Sequence, residues 1–313
     1  MSIHNRVRKI HRRNLGISDE LQNAALHPVL KRIYANRQIN NLSQIDYSLD
    51  RLINYNQLMG IDAAANIVAD AICANHNILI VGDYDADGAT SSALVVRALN
   101  SFAAANVNYL VPNRFEYGYG LTPEIVKVAS EFSPQVLITV DNGISSIDGV
   151  NAAKQNNIKV VVTDHHLPGD QLPDADAIVN PNQPGCKFAS KSIAGVGVAF
   201  YLMLAVRACL RERDWFNDKR PAPNMADLLD LVALGTVADV VPLDENNRIL
   251  VEQGIRRMRG GKTRPGICAL FQAAGKDIRA CTSTDLGFFI GPRLNAAGRL
   301  EDMSAGVELS LIH

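Results

Sequence analysis

The chain is 313 residues long, 47% hydrophobic, with a formal net charge of −1 at neutral pH. That length suits about two domains of roughly 100–200 residues each, and the composition is that of an ordinary soluble α/β protein in which any polyanion site is a local patch. Cys73, Cys186, Cys209, Cys268 and Cys281 are scattered, odd in number and without a CxxC pair, which excludes a disulfide framework and a thiolate zinc site and points to reduced thiols in the cytoplasm.

Residues 1–76 read as a helical N-terminal extension. Arg6, Arg8, Lys9, Arg12 and Arg13 open it with no apolar run of signal-peptide length behind them. Within residues 1–37 these five, with Lys31, Arg32 and Arg37, face only Asp19 and Glu20. The excess suits a solvated tail and an arm on nucleic-acid phosphates equally well. Leu21, Ala24, Ala25, Val29, Leu30, Ile33 and Tyr34 recur at helical spacing, and Ala63 to Ala74 form an Ala-rich helix.

From Asn77 the pattern becomes strand, loop, helix, repeated. Strands are expected at Ile78 to Val81, Val107 to Val111, Val136 to Val140, Lys159 to Thr163 and Ala177 to Val179. Helices are expected at Ser91 to Ala104, after Thr122-Pro123-Glu124 as cap, proline and acidic first turn, and at Ser145 to Asn156. Such alternation calls for a doubly wound parallel sheet with helices on both faces, here over residues 77–244. The run Ile193 to Val206 is short of the ~20 residues of a membrane span and reads as a buried core helix. A helix from Met225 ends in Leu234-Gly235-Thr236-Val237-Ala238-Asp239, and residues 245–313 form a helical C-terminal part with a basic stretch at Arg256, Arg257, Arg259, Lys262 and Arg264.

The chemistry concentrates where strands end. Asp83, Asp85 and Asp87 follow the first strand at two-residue spacing, Asp141 follows the third, and Asp164, His165 and His166 follow the fourth. One Asp after a strand is ordinarily a turn residue. Three sets in phase with one architecture converge on the crevice at the carboxyl end of the sheet. Three carboxylates this close repel unless cations sit among them, and oxygen and imidazole donors without thiolate suit Mn²⁺ or Mg²⁺. An EF-hand is excluded, because the glycine comes too early and no Glu closes the loop. Two such ions stabilise the attacking and leaving oxygens of an in-line phosphoryl displacement, and no GxxxxGK[ST] nucleotide loop is present. His165 and His166, adjacent in an extended segment, point to opposite sides, so one suits a metal and the other a substrate phosphate. Asp239 alone reads as a helix cap slightly more than as a ligand. The loop Asn113 to Gly120 offers Arg114 to phosphates and Phe115, Tyr117 and Tyr119 to bases, with aromatic packing on the core an equal reading for Phe115 and Tyr117.

Taken together, Gly82 to Gly88, Val140 to Gly143, Asp164 to His166 and Gly235 to Asp239 resemble, in order, the four signature motifs of the DHH phosphoesterase family. Val111 to Phe115, Ala194 to Phe200 and Gly291 to Arg299 carry the likeness through essentially the whole chain, toward the family's bacterial single-strand-specific exonucleases. The resemblance implies hydrolysis of single-stranded DNA from the 5′ end to mononucleotides in recombination and repair, with single-strand-binding protein and a helicase as partners. It implies two divalent cations held by Asp83, Asp85, Asp87, Asp141, His165 and Asp239, with Asp141 bridging and acting in catalysis beside a phosphate-facing His166. DNA contacts fall to Arg114, Tyr117, Arg293, Asn295 and Arg299. Exonucleases of this kind continue into a second domain with a glycine-rich motif and an OB-fold, so residues 245–313 are expected to lead toward a domain absent from this sequence. The competing expectations are a related phosphatase acting on short oligonucleotides or cyclic dinucleotides, and an inactive replication scaffold. Intact acidic motifs argue against the scaffold, since a dead copy has no reason to retain charges that repel.

Overall fold

The computed structural model describes residues 11, 13, 15–112, 118–300 and 303–311, less the side chains of 297, 299 and 300. It divides into two compact units, residues 1–47 and 48–313. In the first, α1 (Asp19–Asn23) starts where the Ser18 hydroxyl accepts the Leu21 N–H, and α2 (Pro28–Asn36) starts on a proline at its first turn. A short turn, Leu42–Ile45, is closed by reciprocal Asn41 and Gln44 bonds.

The first α-helix of the second unit, after the short turns Leu49–Arg51 and Tyr55–Gln57, is α3 (Ile61–Cys73), which belongs with the sheet and not with the first unit. Five strands follow: β1 (Asn77–Gly82), β2 (Asn106–Leu110), β3 (Val136–Val140), β4 (Lys159–Thr163) and β5 (Ala177–Val179). All pair in parallel, in the order β2-β1-β3-β4-β5. Because β2 and β3 lie on opposite sides of β1, the direction of winding reverses between β1 and β3. A crevice therefore opens at their carboxyl ends.

Central parallel strands are covered on both faces, which is why they are near-continuous apolar runs. Ile78, Ile80, Ile138, Val140 and Val161 face a core shared with α3 and α4 (Ala86–Ser101). Leu79, Val81, Leu137, Val160 and Val162 face the opposite core, with α5 (Pro123–Ala129) and α6 (Ile147–Gln155). Burial of each such side chain contributes about 1.5–3 kcal/mol. The first core also takes in α7 (Gly195–Glu212) and α8 (Leu229–Ala238). Then come α9 (Glu245–Arg259), which packs along α8, and α10 (Pro265–Ala273). A π-helical segment, Leu286–Ile290, runs into α11 (Gly291–Leu300), and α12 (Ser304–Leu311) lies against α4.

One boundary differs in a way that matters. The helix expected from Ser91 begins at Ala86, because the Asp85 carboxylate caps it by accepting the Gly88 N–H at 2.9 Å. Asp87 thus stands in the first helical turn and not in a loop. Among the described residues, no helix is long and apolar enough to cross a membrane, and all five cysteines are free.

Candidate metal centre

Strand register sets the site. Gly82 pairs with Val140 and Val140 with Thr163, so the next residues, Asp83, Asp141 and Asp164, leave three neighbouring strands at one level. The Asp141 N–H still donates to the Thr163 carbonyl (3.0 Å), and the Asp164 N–H to that of Val179 (3.1 Å). Asn142 ties β1 to β3, its side-chain amide donating to the Val81 (3.1 Å) and Val140 (2.9 Å) carbonyls. At Asp141 the backbone turns left-handed (φ +62°), a conformation Asp tolerates better than most residues.

Three sets of ligand atoms lie mutually within 4.8 Å: those of Asp83, Asp85 and Asp141, those of Asp87, His165 and Asp239, and those of Asp141, His165 and His166. His165 Nε2 is 3.1 Å from Asp141 Oδ1, 3.6 Å from Asp239 Oδ2 and 4.0 Å from Asp87 Oδ2. All seven motif residues therefore meet. Asp87 is fully buried and also holds a distant helix, since its carboxylate accepts the Gly195 N–H (2.6 Å) and the Val196 N–H (2.9 Å), capping α7 from 108 and 109 residues away.

The two histidines are not on opposite sides, because the chain bends after β4 and leaves their ring centroids 4.5 Å apart. They differ in surroundings. His165 is turned in among the carboxylates with its side chain 11% exposed, while that of His166 is 44% exposed and held by Asp164. Asp164 Oδ1 accepts from the His165 N–H (2.7 Å), the His166 N–H (3.1 Å) and His166 Nδ1 (2.7 Å), and Oδ2 accepts from the Ile144 N–H (2.9 Å). Asp164 therefore shapes the loop and aims His166. Tyr119 adds a hydroxyl 3.2 Å from His166 Nδ1 and 3.5 Å from the Asp141 carbonyl.

Electrostatics follow from packing this many acids out of water. Burial and the neighbouring Asp85 raise Asp83 to about 7, and burial and Asp85 raise Asp239 to about 6. Asp87 and Asp141 go well above the ordinary carboxylate value, again through burial first and neighbouring carboxylates second. Burial lowers His165 to about 4, keeping it neutral, the form that binds a metal. The hydrogen bond to Asp164 raises His166; burial works to raise Asp164, but the bonds from His166 and the backbone hold it low.

The residues fit a divalent cation. Asp141 Oδ1, His165 Nε2 and Asp239 Oδ2 are buried, face one another and have no hydrogen-bond partner. Unpartnered buried polar atoms are costly, and a cation among them would satisfy all three. The donors are oxygen and imidazole, suited to Mn²⁺ or Mg²⁺ rather than to a thiophilic ion.

Of the expected DNA contacts, Arg114 and Tyr117 lie outside the described residues, as does the side chain of Arg299. Arg293 is exposed on α11, its guanidinium donating to the Phe289 carbonyl at 2.8 Å. Asn295 is turned to the motif loop, where its Oδ1 accepts the Ala86 N–H at 2.7 Å. Two glycines permit this close assembly: a Cβ on Gly195 would stand 2.4 Å from Asp141 Oδ1, and one on Gly298 would stand 2.3 Å from the Tyr84 carbonyl. The sequence marks Asp164 as a motif acid and Tyr119 as a loop aromatic, but not that Asp164 aims His166 or that Tyr119 reaches it, and the packing of Gly195 on Asp141 has no local signal.

Residues 77–236 match the DHH family, N-terminal domain. The chain is 55% identical over 305 residues to the single-stranded-DNA-specific exonuclease RecJ of Salmonella typhimurium, covering 97% of this chain and 53% of that protein. With RecJ of Escherichia coli K12 it is 56% identical over 289 residues, 92% of this chain and 50% of that one. The crystal structure of RecJ in complex with Mn²⁺ from Thermus thermophilus matches with a TM-score of 0.76 at 31% identity, over 94% of this chain and 40% of that one. The chain thus spans about half the length of the curated relatives it matches. The matched segment begins with β1 and ends within α8, one turn before Asp239, and by that match the chain belongs to the DHH family.

Proposed function

We propose that this chain is the catalytic part of a two-metal phosphodiesterase that hydrolyses single-stranded DNA from its 5′ end to mononucleotides. The observation that carries the reading is the convergence of Asp141 Oδ1, His165 Nε2 and Asp239 Oδ2, buried and unpartnered, at the carboxyl end of the sheet. The substrate class and the direction of digestion rest on the likeness to the RecJ exonucleases.

In this reading Asp83, Asp85 and Asp141 hold one cation, Asp87, His165 and Asp239 hold the other, and Asp141 is shared. Two Mn²⁺ or Mg²⁺ ions supply water activation and neutralise charge on the phosphate during in-line displacement. Asp87, clamped by two amides, holds one side of the centre rigid against α7. His166, aimed by Asp164 and Tyr119, presents its ring to the substrate phosphate. Arg114, Tyr117, Arg293 and Arg299 contact the strand, and Asn295 joins them while holding the start of α4. The setting is cytoplasmic recombination and repair, with single-strand-binding protein and a helicase alongside.

Incubation of 5′- and 3′-end-labelled single strands and blunt duplexes with the protein and Mn²⁺ or Mg²⁺ tests this. The reading expects metal-dependent release of mononucleotides from single strands, with blunt duplex resistant. Equal rates on duplex, or hydrolysis confined to dinucleotides or cyclic dinucleotides, would overturn it.

A further inference from the structure

An apolar cavity begins at the residue that follows the candidate ligand Asp239, and the phosphoryl chemistry leaves its role unexplained. Val240, immediately after Asp239, is 84% exposed and sits in the left-handed region at φ +64°. A β-branched residue rarely adopts that conformation, and backbone strain of this kind gathers at functional sites. Across a cavity of about 410 Å³ stands Phe288, 76% exposed. Val237, Val241 and Leu243 complete the apolar lining. That volume lies within the range of ligand clefts.

Phe288 belongs to the π-helical segment Leu286–Ile290. Leu286 and Ile290 are fully buried, and Phe289 packs on the core with the Lys276 ammonium 3.8 Å from its ring centre. The segment therefore satisfies its core with three residues and sets Phe288 out to solvent. Single-turn π segments are rare and gather at functional sites. Gly287 keeps the segment against α8, since a Cβ there would stand 3.3 Å from Val237 Cγ1. Ser283 and Thr284 line the cavity with hydroxyls.

We infer that Val240 and Phe288 form a stacking shelf for an unpaired nucleobase next to the phosphate held at the metal centre. The inference rests on the nucleic-acid reading above. The occupant follows from continuity: the shelf starts at the residue after a candidate metal ligand, so a nucleotide whose phosphate reaches Asp239 brings its base to an apolar surface bearing one free aromatic face. Stacking on an aromatic accepts any base. A base paired inside a duplex has both faces covered, so beyond the terminal pair only an unpaired base can lie on the shelf. The shelf is thus a determinant of single-strand selection, separate from the chemistry.

The test uses single-stranded oligonucleotides carrying 2-aminopurine at each of the first four positions from the 5′ end, mixed with protein and Mn²⁺ and read by stopped-flow fluorescence before turnover. The shelf quenches the probe at one position. Phe288→Ala abolishes that quenching, Phe288→Trp restores it, and the alanine variant binds an unmodified oligonucleotide about tenfold more weakly. An oligonucleotide abasic at the same position binds both proteins alike. A normal Mn²⁺ titration of each variant shows that it is folded. Absence of quenching in the wild type, or equal quenching in Phe288→Ala, overturns the inference. Mn²⁺-dependent hydrolysis of bis(p-nitrophenyl) phosphate by the wild type separates the two readings. Hydrolysis without quenching sinks the shelf alone, and quenching without hydrolysis sinks the phosphodiesterase reading alone.

Discussion

Replacing Asp83 by Asn in the metal-free protein should stabilise it at alkaline pH, because Asp83 is 8% exposed and its carboxyl is raised from 3.8 to about 7. A group whose folded pKa lies above its unfolded value supports the fold fully below the unfolded value, near pH 4. That support is lost as pH rises through about 7. The gap corresponds to about 4 kcal/mol of stability lost by the wild type between pH 4 and pH 8. Asn does not ionise, and its carbonyl oxygen can still accept the Tyr84 N–H that Asp83 accepts. Urea unfolding in chelator should therefore show the variant gaining on the wild type by up to about 4 kcal/mol from pH 4 to pH 8. With saturating Mn²⁺ the order should reverse, since the wild type gains binding energy that the variant has lost. A difference that does not change with pH, or a variant less stable than the wild type at pH 8 in chelator, would refute the reasoning.

Other substitutions separate the roles of the remaining residues. Asp141→Ala should abolish Mn²⁺ binding at both positions and lower turnover by several orders of magnitude, whereas Asp239→Ala should mainly weaken one; calorimetric titration showing two near-normal sites in Asp141→Ala would sink the bridge. Asp87→Asn should destabilise the metal-free protein by about 1–3 kcal/mol at acidic pH, where the raised Asp87 carboxyl is neutral and no charge is relieved, because an amide has one acceptor oxygen for the Gly195 and Val196 N–H groups; an unchanged urea midpoint there in chelator would contradict that cap. Arg114→Ala should reduce the slope of log affinity against log salt by about 0.7 for single strands while leaving the Mn²⁺ isotherm alone, and an unaltered slope would remove Arg114 from the phosphate contacts.

The strands were legible because buried parallel strands leave continuous apolar runs such as Val136 to Val140 and Val160 to Val162, ended by acids. Convergence of the motifs was legible because the parallel order puts Asp83, Asp141 and Asp164 at one level. The start of α4 was not, since Gly88 and three acids locally imitate a loop; the helix forms because Asp85 caps it and Asn295, 209 residues on, accepts the Ala86 N–H. Asp87 as the cap of α7 was equally hidden, being a contact across 108 residues. Asp239 was undecidable locally because it ends α8 and also stands 3.6 Å from His165. The histidine pair departs from the alternation rule for a simpler reason. Strand alternation stops at Thr163, so the rule that neighbours point apart no longer applies to His165 and His166.

Anomalous diffraction from crystals grown in Mn²⁺ tests the central claim most directly. Two peaks about 3.5–4 Å apart, both touching Asp141 and divided between Asp83 and Asp85 on one side and Asp87, His165 and Asp239 on the other, are the result the account predicts. A single peak, or metal bound away from Asp141, would contradict it.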